Sequence, residues 1–120
     1  MLFVWYPKCS TCMRAKAWLD TRGVAVETRD IKLENPSAEE LAAWQKKSGL
    51  PLKRFFNTSG LLYKSMNLKE KLPGMTPEEQ LILLSSDGML VKRPILVSND
   101  FVLAGFREQE WADTLAAHPC

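Results

Sequence analysis

Cys9-Ser10-Thr11-Cys12 stands where an apolar run gives way to a helical pattern, and that junction constrains the chain more than any other feature. Leu2-Phe3-Val4-Trp5-Tyr6 is continuously apolar and stops at Pro7, as expected of a strand buried on both faces. From Ser10 the period changes: Cys12, Ala15 and Leu19 fall at i, i+3 and i+7, with Trp18 beside them and Gly23 as a C-terminal cap. Val24 and Val26 then alternate with Ala25 and Glu27, which predicts a second short strand. A strand–helix–strand unit crosses over right-handedly, so its two strands are parallel. Cys9 is thereby expected at the N-terminal end of the crossover helix, where unpaired backbone N–H groups and the helix dipole favour an anion.

The middle of the chain reads as helical. Ser37-Ala38-Glu39-Glu40 is a capping box after Pro36, and Leu41 and Trp44 continue an apolar stripe up to Gly49. Leu61, Leu62, Ser65 and Leu68 predict a further helix that closes before Pro73-Gly74. Thr76-Pro77-Glu78-Glu79 combines a capping threonine, a first-turn proline and the glutamate that completes the box, opening a helix through Leu81–Leu84 toward Asp87-Gly88. Ile95-Leu96-Val97 and Phe101-Val102-Leu103 form a hairpin across Ser98-Asn99-Asp100. A last helix runs from Glu108 to about Ala117 with Trp111 and Leu115 on one face. The order βαβ, helices, ββα predicts an α/β fold, a small mixed sheet flanked by helices in the thioredoxin-like layout.

Composition narrows the class. A chain of 120 residues is expected to form one domain, 1–120, and 46% hydrophobic with 25% charged residues is the make-up of a soluble globular protein. Leu81-Ile82-Leu83-Leu84 is far shorter than a membrane span, and the start lacks a basic leader, so no membrane association and a cytoplasmic location are expected. Sixteen basic against 14 acidic residues leave a net charge of +2, too little to argue for direct nucleic-acid binding. Lys46-Lys47 and Lys69-Glu70-Lys71 read as solvated helix faces, and Trp5, Trp18, Trp44 and Trp111 as core.

Helix-end placement lowers a thiol's pKa from about 8.5 into the range of roughly 3.5–7.5. Lys8 and Arg14 add positive charge, and Ser10 and Thr11 offer hydroxyls to a Cys9 thiolate. Cys12 follows one turn later and deeper, so Cys9 is read as the attacking thiol and Cys12 as the resolving one. Zinc is disfavoured, because only His118 and Cys120 remain to complete four ligands, and both are read as tail residues. The alternative is that both cysteines are simply small buried residues of the first helix.

Tyr6-Pro7-Lys8-Cys9-Ser10-Thr11-Cys12, Arg93-Pro94-Ile95 and Gly105-Phe106-Arg107, in this order, resemble the arsenate reductase family that couples to glutathione and glutaredoxin, the ArsC/Spx/YffB-type thioredoxin-like proteins. The resemblance spans essentially the whole chain. It implies that Cys9 is the nucleophile, that Pro94 is a cis-proline facing it, and that Arg93 and Arg107 hold an oxyanion. Planar guanidinium forks suit such a ligand and favour a neighbouring thiolate. The implied reductant is glutathione, glutaredoxin or thioredoxin, with no bound cofactor, and the implied substrate is a small oxyanion or a disulfide.

Two positions depart from the family pattern. Where the arsenate reductases carry a third arginine this chain has Asn57, for which Lys53 or Arg54 are the candidate substitutes. Those enzymes also typically lack a cysteine at Cys12, so a self-contained dithiol cycle is expected here. The alternative implied by the same resemblance is an Spx-type redox-switched regulator that binds RNA polymerase. Against it stand Arg107 and the absence of a basic tail after His118-Pro119-Cys120.

Overall fold

Alternation along four short strands sorts the apolar side chains onto two faces. In a computed structural model that describes residues 1–118, these strands are β1 (Leu2–Trp5), β2 (Glu27–Asp30), β3 (Ile95–Val97) and β4 (Val102–Ala104), in the spatial order β2-β1-β3-β4. β1 pairs in parallel with β2 and antiparallel with β3, and β3 and β4 form the expected hairpin. Phe3, Leu96 and Leu103 stand in one cross-strand row, and Val4, Ile95 and Ala104 in the next. Adjacent rows face opposite sides of a pleated sheet.

The Phe3 row meets Ala15 and Leu19 of α1 (Ser10–Thr21) and Trp111 of α6 (Glu108–Ala117). The Val4 row meets the helical middle of the chain: α2 (Ala38–Ser48), α3 (Leu61–Ser65), α4 (Leu68–Lys71) and α5 (Pro77–Ser86). Leu41, Phe55, Phe56, Tyr63, Leu68 and Leu84 are buried there. The result is the thioredoxin-like α/β layout that the element order predicts, a mixed four-stranded sheet flanked by helices.

Local chemistry sets the helix ends. Both capping boxes form: the Glu40 N–H donates to Ser37 Oγ at 3.1 Å and the Glu79 N–H to Thr76 Oγ1 at 3.2 Å. Each glutamate accepts back from its N-cap residue's backbone N–H. Gly49 ends α2 at φ +70°, a left-handed conformation suited to glycine.

Several elements differ from the sequence expectation. Val24 and Val26 are not a strand, because pairing begins at Leu2↔Glu27 and β1 has no residue left for them to pair with. They pack instead against the Phe3 cluster. β4 begins at Val102, one residue after Phe101, because Phe101 closes the hairpin by accepting from the Ser98 N–H at 2.8 Å. The helix expected across 61–72 breaks at Asn67, which adopts φ +55°, a conformation asparagine tolerates better than most residues. Its side-chain amide donates to Glu70 at 2.9 Å.

Of the four tryptophans, Trp44 and Trp111 are buried, whereas Trp5 and Trp18 are only half-buried. Trp18 caps the apolar layer with its ring edge-on to Phe106 and Trp111, its indole N–H donating to Glu108 at 3.2 Å and Arg22 stacked 4.2 Å over its face. An indole has a polar handle that suits such a boundary position. His118 is not simply a loose tail: its ring lies 5.3 Å from that of Phe101. Cys120 lies outside the described residues. Among the described residues, no helix is long and apolar enough to cross a membrane.

Candidate active site

Cys9 is the N-cap residue of α1, with extended backbone (φ −87°, ψ 122°). Its own N–H donates to the Tyr6 carbonyl at 2.9 Å, and its carbonyl accepts the first helical bond, from Met13, at 3.0 Å. This tight turn out of β1 places the sulfur at the helix end, before N–H groups that have no partner within the helix. Cys12 lies one turn in and is fully buried, with its sulfur 3.5 Å from the Tyr6 backbone N–H. Both thiols are free.

The two thiols are shifted in opposite directions. Burial alone would raise the Cys9 pKa, but it is outweighed by the Cys12 backbone N–H, the Cys12 thiol, and the hydrogen bond and charge of Arg93, so Cys9 is held below the ordinary cysteine range. Cys12 is pushed up to about 12, chiefly by burial and further by the adjacent Cys9 sulfur. Cys9 is thus the readier of the two to form a thiolate, and Cys12 is kept as the thiol that hydrogen-bonds to it.

Cys9 opens onto a cavity of about 330 Å³. Thr11 lines it from α1, Arg54 from a 3₁₀ turn at Leu52–Phe55, and Asn57, Ser59 and Gly60 from the loop before α3. Lys92 and Arg93 line it from the run into β3, and Ala104, Gly105, Phe106 and Arg107 from the passage between β4 and α6. No aspartate or glutamate is among these residues. Arg93 lies 5.4 Å over the Tyr6 ring, its Nη1 donates to the Met89 carbonyl at 3.4 Å, and its Nε is buried without a hydrogen-bond partner.

The Arg93–Pro94 peptide bond is cis. The Pro94 carbonyl accepts from the Gly105 N–H at 2.8 Å, which joins the two loops behind the cavity. Gly105 (φ +78°) adopts the left-handed conformation that favours glycine, with the end of the flexible Lys92 side chain close beside it. The buried Trp111 indole N–H donates to the Gly105 carbonyl at 2.9 Å, tying the loop to α6. Among the described residues, no group of three or more His, Cys, Asp or Glu side chains is arranged to hold a metal ion.

Of the residues singled out in the sequence, Cys9, Thr11, Asn57, Arg93 and Arg107 come together around this cavity. Cys12 is buried behind Cys9, and Pro94 is buried beneath the cavity rather than lining it. Lys8 and Ser10 are exposed and do not line it, because the Tyr6–Cys9 turn and the first turn of α1 direct them to solvent. Asn57 lies against its own loop: a Cβ on Gly60 would stand 2.5 Å from its amide nitrogen. The third guanidinium comes from Arg54, three residues earlier, and Lys53 lines a neighbouring cavity instead. Lys92 was not singled out; its only signal was its place beside Arg93-Pro94.

Comparison with known proteins agrees with this geometry. The chain is 50% identical to the uncharacterized protein YusI of Bacillus subtilis over 116 residues, covering 97% of this chain and 98% of that one. It is 30% identical to the regulatory protein MgsR of the same organism over 110 residues, covering 92% and 86% respectively. The crystal structure of an ArsC-family-related protein from Bacteroides fragilis superposes with a TM-score of 0.91 at 53% identity, covering 93% of this chain and 94% of that one. A model of the ArsC family matches residues 4–114, a span that takes in both described cysteines, the cis-proline and all three arginines of the cavity, and the chain belongs to that family.

Proposed function

We propose that this protein is a thiol-dependent reductase of the arsenate-reductase type, working in the cytoplasm, with Cys9 as nucleophile and Cys12 as resolving thiol. The observation that carries this reading is the placement of Cys9 at the N-terminus of α1, on the wall of a cavity that also holds Arg54, Arg93 and Arg107, with Cys12 one turn behind. Guanidinium groups around a thiolate stabilise it and attract an anionic substrate to the same point.

The cycle begins when the Cys9 thiolate attacks an oxyanion centre, displacing one of its oxygens as water with protons from solvent, or attacks a substrate disulfide, breaking the S–S bond and releasing one thiolate. Attack consumes the negative charge on Cys9. The contribution of that charge to the raised Cys12 pKa then disappears, which makes Cys12 easier to deprotonate once the covalent intermediate exists. Cys12 loses its proton to solvent, attacks the Cys9 sulfur and expels the product, leaving a Cys9–Cys12 disulfide. Glutathione, glutaredoxin or thioredoxin supplies the two electrons that restore the dithiol; no bound cofactor takes part.

Turnover of arsenate with glutathione and a glutaredoxin tests the reading, with Cys9→Ser, Cys12→Ser and Arg107→Ala alongside wild type. Activity lost with Cys9→Ser and sharply reduced with Arg107→Ala supports oxyanion reduction. No turnover, together with a readily formed Cys9–Cys12 disulfide, moves the assignment to a disulfide substrate.

The similarity to a regulatory protein, MgsR, favours a regulator as the second reading, and we propose for it the redox-switched, RNA-polymerase-binding form that the Spx-type resemblance implies. Stoichiometric capture of the polymerase α subunit, dependent on the Cys9–Cys12 redox state, would support that reading over catalysis.

A further inference from the structure

The cavity at Cys9 has a neighbour. A second cavity of about 430 Å³ is lined by Pro51, Lys53, Arg54, Phe56, Thr58, Lys92 and Arg107. Arg54, Lys92 and Arg107 line both, so the two adjoin across a ridge of three cations. With Arg93 on the Cys9 side and Lys53 on the far side, five cationic side chains surround the joined space, and no aspartate or glutamate lines either part. Among the described residues, the salt bridges Lys16–Asp20 and Arg29–Glu40 engage none of the five. The whole chain carries a net charge of only +2, so this concentration reflects placement, not composition.

A bare oxyanion bound at Cys9 leaves the second cavity unused. Its lining combines cations with the Thr58 hydroxyl and the exposed, apolar Pro51 ring. Those are the partners of a short methylene arm that ends in a carboxylate. We propose that the second cavity is a subsite for a carboxylate-bearing arm, and that the substrate reacting at Cys9 is a small acidic disulfide; this rests on the thiol-reductase reading above.

The reaction balances without a further reagent. The Cys9 thiolate attacks one sulfur of R–S–S–R, breaking that bond, forming a Cys9–S–S–R mixed disulfide and releasing one RS⁻. Cys12 gives up its proton, attacks the Cys9 sulfur and releases the second RS⁻. One protein dithiol is oxidised to a disulfide, and one substrate disulfide is reduced to two thiols. The arm that fills the second cavity belongs to the half held on Cys9, so its carboxylate is gripped throughout the covalent intermediate.

The test is a single-turnover experiment on pre-reduced protein with 4,4′-dithiodibutyrate and its uncharged bis-amide, following the Cys9–Cys12 disulfide and released thiol by acid quench and mass spectrometry. The ratio of the acid rate to the amide rate is the readout. In wild type at low ionic strength the ratio is expected to be on the order of tenfold, and to fall toward one as salt screens the charges. Lys53→Glu changes an exposed side chain that lines the second cavity and not the first, and is expected to cut the ratio about fivefold, the size of effect one reversed charge has on steering and binding. A ratio near one in wild type, or a ratio unchanged by Lys53→Glu, overturns the subsite while leaving Cys9 reactivity standing. Failure of both disulfides to react with Cys9 overturns the disulfide substrate and the subsite with it, and the thiol-reductase reading falls too if arsenate is also not turned over.

Discussion

Arg29 and Arg93 belong to the same small sheet protein and are treated in opposite ways. Arg29, on β2, forms a two-pronged bond to Glu40 at 2.6 and 2.9 Å and also donates to the carbonyls of Glu34 at 2.9 Å and Asn35 at 3.3 Å. Its charge is consumed in fastening β2 to the start of α2. Arg93 has one long bond to the Met89 carbonyl and a buried Nε with no partner, and directs its charge and a hydrogen bond at Cys9 in a cavity free of carboxylates. A protein that pairs Arg29 so fully and leaves Arg93, Arg54 and Arg107 without ion pairs among the described residues has separated structural charge from charge held for a ligand.

Substitutions can break this comparison in order of expected effect. In a Cys120→Ser background, which removes the third thiol of the chain, Cys9→Ser should abolish reaction with a thiol-directed alkylating agent in the folded protein, since Cys12 is fully buried and its pKa is pushed up to about 12; mass spectrometry of the adducts checks this. Arg93→Ala should raise the Cys9 pKa and slow its alkylation near neutral pH, because the Arg93 hydrogen bond and charge both help to lower that pKa. The same variant should leave the unfolding midpoint in urea close to wild type. Arg29→Ala should do the reverse, lowering stability without changing Cys9 alkylation. If both variants moved both readouts alike, the separation of roles would be wrong.

Glu40→Gln sharpens the structural half. The Arg29 hydrogen bond is the chief reason the Glu40 carboxyl is held down at about 2, against a modest opposing effect of burial. A depressed carboxylate contributes stability that is present above its unfolded pKa of about 4.3 and is lost as pH falls through the folded value. Urea unfolding should show Glu40→Gln less stable than wild type by about 1 kcal/mol at neutral pH, as for a well-formed but partly exposed bidentate pair. The gap should close as pH falls from about 4.3 toward about 2. The smallest effect belongs to Asp20→Asn, which removes the exposed Lys16–Asp20 pair at 2.6 Å on α1. It should shift stability by less than about 0.5 kcal/mol.

Features written in neighbouring residues could be read directly from the chain. The boxes at Ser37–Glu40 and Thr76–Glu79, the hairpin around Ser98-Asn99-Asp100 and α6 from Glu108 all follow from local chemistry, and each stands where its residues indicate. The cysteine pair at the β1–α1 junction was legible for the same reason. Features that depend on what lies across the fold were not. Val24 and Val26 alternate like a strand, yet the length of β1 decides where pairing starts. Asn67 interrupts an apolar pattern that continues on both sides of it.

The third guanidinium was hidden in a similar way. Position 57 matches by counting, but the 3₁₀ turn at Leu52–Phe55 brings Arg54 to the cavity, and Asn57 packs against Gly60 in its own loop. Lys92 lines the cavity beside Gly105, thirteen residues later, and the two are brought together only by the fold. Neither placement has a signature within a window of sequence.

The central claim is that the end of α1 and Arg93 together hold the Cys9 pKa below the ordinary cysteine value. Its most direct test is the pH dependence of Cys9 alkylation in the Cys12→Ser and Cys12→Ser/Arg93→Ala proteins, read by mass spectrometry. The account predicts a midpoint below the ordinary cysteine value of about 8.5 in the first and a higher midpoint in the second. A midpoint at or above about 8.5 in both proteins would contradict it.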